Sequence, residues 1–394
     1  MSQREVVILS ARRTPIGAFQ GALAPLTGPQ LGAAAARAAI QAAGIREADV
    51  QEVILGCVLQ AGLGQAPARQ AAIGAAIPLA TPATTVNKMC GSGLKAVMMA
   101  ADQIQAGNAD VVLAGGLESM TNAPYLLPKA RGGYRMGHGE VLDHMFYDGL
   151  QSPFDGKLMG CFADATASKY RFSREEQDAF AAESVRRAVR AVESGEFDAE
   201  VTPVTVKSRK AETVVARDET PGTCDISRIA TLKPAFGKDG TVTAASASSI
   251  SDGAAALVVA GADAAAARGL KPVARILAQA SHAQEPEWFT TAPVGAIRKV
   301  LDRLGWKPHD ADLYEINEAF AAVTMAAMHD IDIDHARVNV NGGACALGHP
   351  IGATGARILT TLLHALRRRG GRRGIASLCI GGGEAVAVAI ELIG

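Results

Sequence analysis

The chain has 394 residues, 48% of them hydrophobic and 20% charged, so it can bury a large core in two ordinary domains or one large α/β unit. Its 39 Lys and Arg residues balance its 39 Asp and Glu residues, which argues against a protein that binds nucleic acid or a membrane surface. Its six cysteines include no CxxC pair, which favours free thiols over disulfides and argues against a zinc site.

The N-terminal stretch carries charges where a signal peptide would have its apolar region, and no apolar run reaches the roughly 20 residues of a membrane span. We therefore expect a cytoplasmic protein. One basic cluster, the five arginines at 367–369 and 372–373, ends a predicted helix, where the helix dipole favours cations. We interpret it as a solvated helix end, the alternative being a contact with an anion or a partner.

The first 120 residues alternate between predicted strands and helices. Apolar, β-branched runs predict strands and Ala-rich runs predict helices, in the order strand 6–11, helix 30–44, strand 50–59, helix 68–77, strand in the first half of 109–120. The first of these helices ends at Gly44, as a helix C-cap does. Such alternation is typical of βαβ units and predicts an α/β fold with a mostly parallel sheet.

The composition of the chain changes from about 120 to 245, where charged residues, Gly and Pro become frequent. Only 173–195 is clearly periodic there, and it begins with a capping-box pattern of Ser173 and Glu176. We interpret this stretch as an inserted, loop-rich region. The α/β alternation resumes at 251–261 and continues to the end.

The late part of the chain resembles the early part. VNKMCGSGLKAVMMAADQIQAGNADVVLAGGLES has a counterpart in the stretch from VNVNGGACALGHPIGATGAR to CIGGGEA. In both, a Val-Asn strand end is followed by a glycine-bearing loop, an amphipathic helix, a strand and a glycine turn with a Glu. The apolar helix faces correspond, namely Leu94, Val97, Met98, Ala101 and Leu359, Leu362, Leu363, Leu366. An internal duplication would place equivalent loops of two similar halves at one shared site.

Cys90 lies in TTVNKMCGSGLKAVMMA, between a short β-like stretch and a helix-like run. A helix N-terminus lowers the pKa of a cysteine and so favours the nucleophilic thiolate. Gly91 and Gly93 would let a substrate approach the backbone closely. On this stretch alone, a buried structural cysteine is an equally good interpretation.

Two other stretches carry candidate chemistry. His349 lies between Gly348 and Pro350 in the loop equivalent to that of Cys90, so it is a candidate base for a thiol, although a lone histidine is more often a core or surface residue. Cys379 ends an apolar strand before three glycines and a second apolar strand, which predicts a tight hairpin with free N–H groups for an oxyanion. The alternative is a cysteine of the strand core. A phosphate loop is excluded because no Lys-Ser/Thr follows the glycines.

Two polar stretches remain open between structural and functional interpretations. Asn317 and Glu318 in YEINEAFAAV follow a predicted strand, where Asn caps helices well but could also hold a water or donate to a developing negative charge. The Ser-rich turn ASASSISDGA at 245–254 is either a plain loop or a ligand contact.

In combination these segments resemble the thiolase family. The motifs NKMCGSGLKAV, NEAFA, NVNGGACALGHPIGATGAR and CIGGGEAVA occur in the order and at the spacing of the family. The resemblance runs from VILSARRTPIGAFQGAL at 7–23 to the Cys379 hairpin, which is almost the whole chain. Within the family, the overall pattern is most like that of the acetyl-CoA C-acetyltransferases, or biosynthetic thiolases.

The resemblance implies catalytic roles for five residues. Cys90 matches the acylated nucleophile, His349 the residue that activates it, and Cys379 the acid/base that moves the α-proton. Asn317 matches the residue that builds one oxyanion hole with His349 through a water. The backbone N–H groups of Cys90 and Gly381 match the second oxyanion hole.

The resemblance also implies contacts with a coenzyme A thioester. Ser248 matches a serine that contacts the pantetheine, although two asparagines of the family's loop are serines here. Related enzymes often carry a His-Met pair where this chain has Leu158 and Met159. They often carry a methionine near the acyl pocket where this chain has Phe289, which would fill space that a longer acyl chain needs. The implied substrate-contacting set is Ser248, Leu158, Met159, Phe289, Ala319 and Phe320.

The implied fold is an α/β thiolase fold, with two similar βαβαβαββ halves in five layers and a loop domain inserted at about 120–245. We expect an N-terminal thiolase domain at 1–269 and a C-terminal thiolase domain at 270–394. RGGYRMGHGEVLDHMFYDGL, at 131–150, lies where the short-chain enzymes carry a tetramerisation loop. We therefore expect a homotetramer, a dimer of dimers.

The implied function is the reversible Claisen condensation of two acetyl-CoA to acetoacetyl-CoA and CoA through an acetyl-cysteine intermediate. Coenzyme A thioesters are then substrates, and no metal ion, nicotinamide or other cofactor is expected. The alternative is a broader 3-ketoacyl-CoA thiolase that cleaves longer or carboxylated 3-oxoacyl-CoA. A ketosynthase, which uses Cys-His-His, and a non-catalytic scaffold, which would lack a catalytic group, fit the residues less well.

Overall fold

The structure is a computed structural model that describes residues 4–207 and 211–393. Its strands are β1 (Val6–Arg13), β2 (Gly17–Ala18), β3 (Glu52–Gly56), β4 (Ala83–Val86), β5 (Val111–Ser119), β6 (Tyr125–Leu126), β7 (Leu142–Asp143), β8 (Val204–Lys207), β9 (Glu212–Val215), β10 (Ser251–Gly261), β11 (Ala274–Ala283), β12 (Leu313–Ile316), β13 (Arg373–Ile380) and β14 (Glu384–Leu392). Its α-helices are α1 (Gly28–Ala43), α2 (Pro67–Gly74), α3 (Ser92–Gln105), α4 (Met159–Tyr170), α5 (Arg174–Glu193), α6 (Ala262–Ala267), α7 (Ala292–Leu304), α8 (Ala321–Ile331), α9 (Ala344–Leu347) and α10 (Thr354–Arg369). A π-helical segment spans Met145–Leu150.

Among the described residues, ten strands join in one mixed sheet. Its order is β12-β13-β14-β11-β1-β10-β5-β3-β4, with β2 paired to β10. β3 runs parallel to β4 and β5, and β12 runs parallel to β13. The pairs that involve β1, β10, β11 and β14 are antiparallel. The prediction of a mostly parallel sheet was therefore wrong, because each half adds antiparallel strands to its parallel βαβ part.

The strand β1 connects the two halves of the molecule. It pairs with β10 from Val6 to Arg13, and it contacts β11 through the pairs of Val7 with Arg275 and Ile8 with Ala274. The chain passes from the first half to the second between α6 and β11. The predicted domain boundary at 269–270 lies in this passage and stays a prediction.

The two halves of the sheet form two separate layers on either side of α3 and α10, and further helices cover their outer faces, which gives five layers. On one face, Leu94 of α3 and Leu359 of α10 pack with residues of both halves of the sheet, such as Val112 and Val388. On the opposite face, α1 and α2 cover the strands of the first half. The helices α7 and α8 cover those of the second half. The order helix, sheet, helix, sheet, helix confirms the predicted thiolase fold, and the duplicated helices α3 and α10 form its central layer.

The predicted helix-end signals are present at two helices. Gly44 ends α1 in the left-handed conformation at φ 68°, and the start of α1 carries a further capping box, of Thr27 and Gln30, which was not predicted. Ser173 and Glu176 form the predicted capping box of α5. The helix α4, by contrast, was missed, because its many small residues give little apolar periodicity. The described part of the loop-rich region thus contains two α-helices rather than one.

A buried arginine holds the loop-rich region against the sheet. Arg13, which is 0% exposed, lies at the end of β1. Its guanidinium lies 2.6 Å from the carboxylate of Glu200 and 2.7 Å from that of Asp218, both of the loop-rich region. Because a buried charge without a partner is strongly destabilising, this pairing fixes the region in place.

Within the described ranges, no helix combines the length and apolarity that a membrane crossing requires.

Candidate active site

Cys90 lies in a tight turn between β4 and α3. The N–H of Lys88 donates to Ser92 Oγ at 2.8 Å, and the Ser92 hydroxyl donates to the Met89 carbonyl at 2.6 Å. Met89 takes a positive φ of 46°, and Gly91 caps the helix. The predicted junction of strand and helix is therefore present, with Cys90 immediately before the cap.

The two glycines beside Cys90 face protein and not a substrate. A Cβ at Gly91 would lie 2.4 Å from Ile380 Cδ1 of β13. A Cβ at Gly93 would lie 2.9 Å from the backbone nitrogen of Ala356 in α10. The expectation that these glycines clear space for a substrate was therefore wrong. They allow the start of α3 to pack closely against elements of the second half.

Cys379 lies near the tip of the predicted hairpin. It is fully buried in β13 and pairs with Ala385 of β14, and the turn between the strands uses Gly382 and Gly383 at φ 95° and 92°. At the first residue of this turn, Gly381, the nearest described atom to an added Cβ is Met159 Sδ, at 3.6 Å. The hairpin thus presents an open backbone position beside a buried thiol.

The Cys90 turn and the Cys379 hairpin are joined directly. Lys88 forms an ion pair with Glu384, the first residue of β14. The backbone N–H groups of Gly381 and of Cys90 itself each lower the pKa of the Cys90 thiol, and a negative charge on Cys90 raises the pKa of Cys379. The structure therefore brings Cys90, Cys379 and Gly381 together, with the two N–H groups of the predicted second oxyanion hole near the Cys90 sulfur.

The charge state of Cys90 differs from the expectation. Cys90 is half-buried as a residue, but protein atoms surround its sulfur, and burial raises the pKa of Cys90 to about 11. The two backbone N–H groups lower the pKa by less than burial raises it. The expectation of a lowered pKa at a helix N-terminus was wrong, since removal of the thiolate from water dominates.

His349 lies on a buried turn that faces the same cavity. Its backbone N–H donates to the Ser249 carbonyl at 3.1 Å, and its Nδ1 lies 2.6 Å from Thr354 Oγ1. Its Nε2 is buried and has no hydrogen-bond partner among the described residues. Burial and the nearby cation of Arg357 lower the pKa of His349 to about 3. The imidazole is therefore neutral at neutral pH, and its unpartnered Nε2 is available as a base.

The Ser-rich turn lies beside this histidine, and Asn317 belongs to the motif that contacts that turn. The N–H of Asn317 donates to the Ser377 carbonyl at 3.0 Å, while both polar atoms of its amide are buried without a partner in the part of the chain that the structure describes. The N–H of Ser248 donates to the Ala319 carbonyl at 3.0 Å, and Ala247 forms a β-bridge with Phe320. The NEAFA motif therefore supports the Ser-rich turn, which is more than a plain loop.

A cavity of about 260 Å³ opens at these residues. Five of the predicted residues line it, namely Leu158, Met159, Ser248, Phe320 and His349. Further walls that the sequence did not reveal come from Met120, Phe146, Leu150, Phe236, Ile250 and Ile351. Ile250 and Ile351 lie within the Ser-rich turn and the His349 motif, where their apolar side chains had not been singled out. The other four lie outside the site motifs, and only folding brings them to the cavity.

Two predicted residues lie next to the cavity without lining it. Phe289 and Ala319 are not among its described lining residues. Phe289 is 3% exposed and belongs to an apolar cluster that includes Phe320 and Cys379. Its ring packs edge-on against Phe162, with centroids 6.1 Å apart. Phe289 thus supports the wall behind the cavity.

The arrangement suits the transfer of an acyl group through a thiol. Cys90 packs against an apolar cluster that includes Met120 and Ile351, and these two residues line the same cavity as His349. A neutral thiol and a neutral imidazole beside one apolar wall suit a proton transfer that accompanies attack on a carbonyl. Burial, and then a negative charge on Cys90, raise the pKa of Cys379 well above its ordinary value. The two thiols therefore do not ionise together, and the proton transfers at each belong to separate steps.

The chain is similar to curated proteins named acetyl-CoA acetyltransferase. It is 51% identical over 390 residues to one from Pseudomonas aeruginosa, and 50% identical over 390 residues to one from Escherichia coli. Each match covers 98% of this chain and 99% of the relative. The crystal structure of the Bacillus anthracis acetyl-CoA acetyltransferase matches the fold with a TM-score of 0.97 at 44% identity, over 99% of both chains.

Two family models match almost the whole chain. The model of the thiolase N-terminal domain matches residues 6–263, and that of the thiolase C-terminal domain matches residues 270–392. The first model covers Cys90, and the second covers His349 and Cys379. The fold, the motifs and the relatives agree, and the chain belongs to the thiolase family of acyltransferases.

Proposed function

We propose that the chain is an acetyl-CoA C-acetyltransferase, which condenses two acetyl-CoA to acetoacetyl-CoA and CoA in a reversible reaction. The names of its full-length relatives support the substrate. The observation that carries the proposal is the grouping of Cys90, Gly381 and Cys379 beside the apolar wall of the cavity that His349 lines. The cavity suits an acyl chain, and the polar groups suit the chemistry of a thioester.

The first half of the reaction transfers an acetyl group to Cys90. The Cys90 sulfur attacks the carbonyl carbon of acetyl-CoA, and its proton passes to Nε2 of His349. The bond between the carbonyl carbon and the CoA sulfur then breaks, and the CoA sulfur takes its proton from Cys379, which becomes a thiolate while His349 stays protonated. The N–H groups of Cys90 and Gly381, which lie near the Cys90 sulfur, are available to stabilise the oxygen of the acetylated cysteine.

The second half of the reaction forms the carbon–carbon bond. The Cys379 thiolate removes an α-proton from a second acetyl-CoA, and the enolate carbon attacks the carbonyl of acetyl-Cys90. The Cys90 sulfur leaves and regains its proton from Nε2 of His349, while acetoacetyl-CoA departs. Before that transfer, the protonated Nε2 of His349 and the unpartnered amide of Asn317 are available, directly or through a water, for the enolate oxygen. No metal ion or organic cofactor takes part in this proposal, since thiols, imidazole and backbone N–H groups perform each step.

The test separates the two halves of the reaction. The wild type is incubated with acetyl-CoA, quenched in acid and digested, and we expect an acetyl group on the Cys90 peptide. Cys379→Ala should still carry the acetyl group at Cys90, but it should exchange the α-protons of acetyl-CoA with solvent about 10²–10⁴-fold more slowly. Cys90→Ala is the control that takes up no acetyl group. Acetylation of another cysteine, or exchange at the wild-type rate in Cys379→Ala, would contradict the assignment.

The proposal includes an assembly and a location. Large apolar side chains are exposed along 125–154, in and after the hairpin of β6 and β7, and they include Leu127, Met136 and Phe154. An exposed apolar patch of this kind marks a contact between proteins, and it supports a homotetramer. All six cysteines are free, which supports a reducing compartment such as the cytoplasm.

A further inference from the structure

The hydrogen bonds around His349 determine which of its ring nitrogens carries the proton. Nδ1 lies 2.6 Å from Thr354 Oγ1, and both residues are buried. The Thr354 hydroxyl also lies 2.9 Å from the Pro350 carbonyl, in a geometry in which the hydroxyl donates. A hydroxyl has one hydrogen and a carbonyl oxygen only accepts. If the hydroxyl donates to Pro350, it can only accept from His349, so the proton of the neutral imidazole is on Nδ1.

The opposite nitrogen leads to the same assignment. Nε2 is buried and has no partner among residues 4–207 and 211–393. A proton on Nε2 would leave a buried N–H donor unpaired, which native structures tolerate less often than an unpaired acceptor. A bare Nε2 costs less and keeps its lone pair towards the cavity that His349 lines.

The partner of Nδ1 is neutral, and this affects the strength of the base. A carboxylate in that position would stabilise a charged imidazolium and strengthen the base. Thr354 orients the ring without adding a negative charge. Arg357, one turn further along α10, places a buried cation on the same side. The surroundings of His349 therefore fix its tautomer while they keep it uncharged.

Thr354 is itself held firmly relative to Cys90. It is the first residue of α10, and its neighbour Gly355 packs against the start of α3 so closely that a Cβ there would lie 2.3 Å from the Leu94 nitrogen. The element that orients the histidine is thus docked on the helix that follows the nucleophile. A shift of either element would move the imidazole relative to the thiol.

We propose that Thr354 is a positioning residue: its hydroxyl accepts from Nδ1–H of His349 and thereby holds the tautomer whose bare Nε2 takes the proton of Cys90. This inference rests on the proposed Cys90 chemistry. It assigns to Thr354 no contact with the substrate, and it predicts that the hydroxyl, and not the shape of the side chain, is what the reaction needs.

The test compares Thr354→Val, which keeps the shape and loses the hydroxyl, with Thr354→Ser, which keeps the hydroxyl. We measure the rate of Cys90 acetylation by acetyl-CoA in rapid-quench experiments, with the thermal unfolding temperature as the control for folding. Thr354→Val should lower the saturating rate by about 10²-fold, as expected for impaired general-base catalysis, without raising the half-saturating acetyl-CoA concentration. Thr354→Ser should keep most of the wild-type rate. Equal rates in the wild type and Thr354→Val, or equal losses in both folded variants, would overturn the proposal.

If the wild type takes up no acetyl group, the proposed function fails. A spectroscopic measurement still tests the assigned tautomer of His349 in that case. In protein with ¹⁵N-labelled histidine, the His349 signals are identified by their loss in His349→Gln. Nε2 should give the resonance of an unprotonated nitrogen in the wild type and in Thr354→Ser, and it should change in Thr354→Val. A protonated Nε2 in the wild type would refute the assigned tautomer.

Discussion

The proposed reactive pair, Cys90 and His349, consists of two neutral side chains. Burial raises the pKa of Cys90 to about 11 and, with Arg357, lowers that of His349 to about 3. At neutral pH the thiol keeps its proton and the imidazole takes none. The pair therefore differs from a thiolate–imidazolium ion pair, and the thiolate forms when a carbonyl is present to be attacked. A resting thiol of this kind is protected from indiscriminate electrophiles.

The first prediction concerns the pH dependence of Cys90 alkylation by iodoacetamide. Because the thiolate reacts and its fraction rises until the pH reaches the thiol pKa, the rate at Cys90 should rise about tenfold per pH unit from roughly pH 7 to 10. No inflection is expected near pH 6–7, since His349 stays neutral throughout this range. Peptide mass mapping measures the rate at each cysteine, and Cys90→Ala gives the background. A rate that is already constant above about pH 6 would show an ion pair and contradict this account.

At the scale of elements, the start of α3 packs against the start of α10 and against β13. Glycines make this contact possible, since Gly93 and Gly355 each lie too close to the opposite backbone for a Cβ. The duplicated helices thus meet at the ends that carry Cys90 and Thr354. The distance between the nucleophile and its base is set by contacts between backbones, which are stiffer than contacts between flexible side chains.

The second prediction is that Gly93→Ala destabilises the protein. In an ordinary helix, Gly to Ala stabilises by roughly 1 kcal/mol, but here the methyl group must displace the backbone of α10. We expect a net loss of about 1–3 kcal/mol in the free energy of unfolding, and slower acetylation of Cys90. Urea unfolding measures the first effect. Gly132→Ala is the matched control, because nothing lies within 4 Å of its added Cβ. A Gly93→Ala protein as stable as the wild type would contradict the close contact.

The elements that the sequence predicts best are those with local signals. The end of α1 at Gly44 and the capping box of α5 depend on neighbouring residues, and both are present. The prediction of strand direction was wrong, because β10 pairs with β1 and β5 across long stretches of chain. The residue pattern within a strand does not show whether its partners run parallel or antiparallel.

The site motifs placed Cys90 and Cys379 on the correct elements. They could not show that burial would dominate the pKa of Cys90, since burial is a property of the folded whole.

The whole molecule contributes to the acyl pocket, because its walls come from both halves and the loop-rich region. Met120 follows β5, Ile351 precedes α10, and both line the cavity and belong to the apolar cluster against which Cys90 packs. The cavity wall near the Cys90 sulfur is therefore apolar. A small pocket with such a wall accommodates a short acyl chain better than a long one.

The third prediction is a preference for short 3-oxoacyl-CoA substrates. In the wild type, kcat/KM should fall at least about tenfold between four and six carbons, because a methylene in an apolar pocket is worth roughly 1–3 kcal/mol. Met120→Ala should raise the ratio of the six-carbon to the four-carbon value, whereas Phe289→Ala, behind the wall, should leave it nearly unchanged. The ratio within one variant does not depend on how much protein is folded. A wild type equally fast on four, six and eight carbons would favour the broad 3-ketoacyl-CoA thiolase instead.

The position of β14 has a consequence for folding during synthesis. Among the described strands, β14 has the highest residue numbers, yet it lies inside the sheet, between β13 and β11. Until β14 has been synthesised, β13 and β11 each expose an unpaired edge, and such edges favour pairing with other nascent chains. Lys88 and its partner Glu384 are 296 positions apart, so this ion pair cannot form before residue 384 has been synthesised. A fragment that stops before β14 should therefore aggregate, and its Cys90 turn lacks the ion pair that joins it to the Cys379 hairpin.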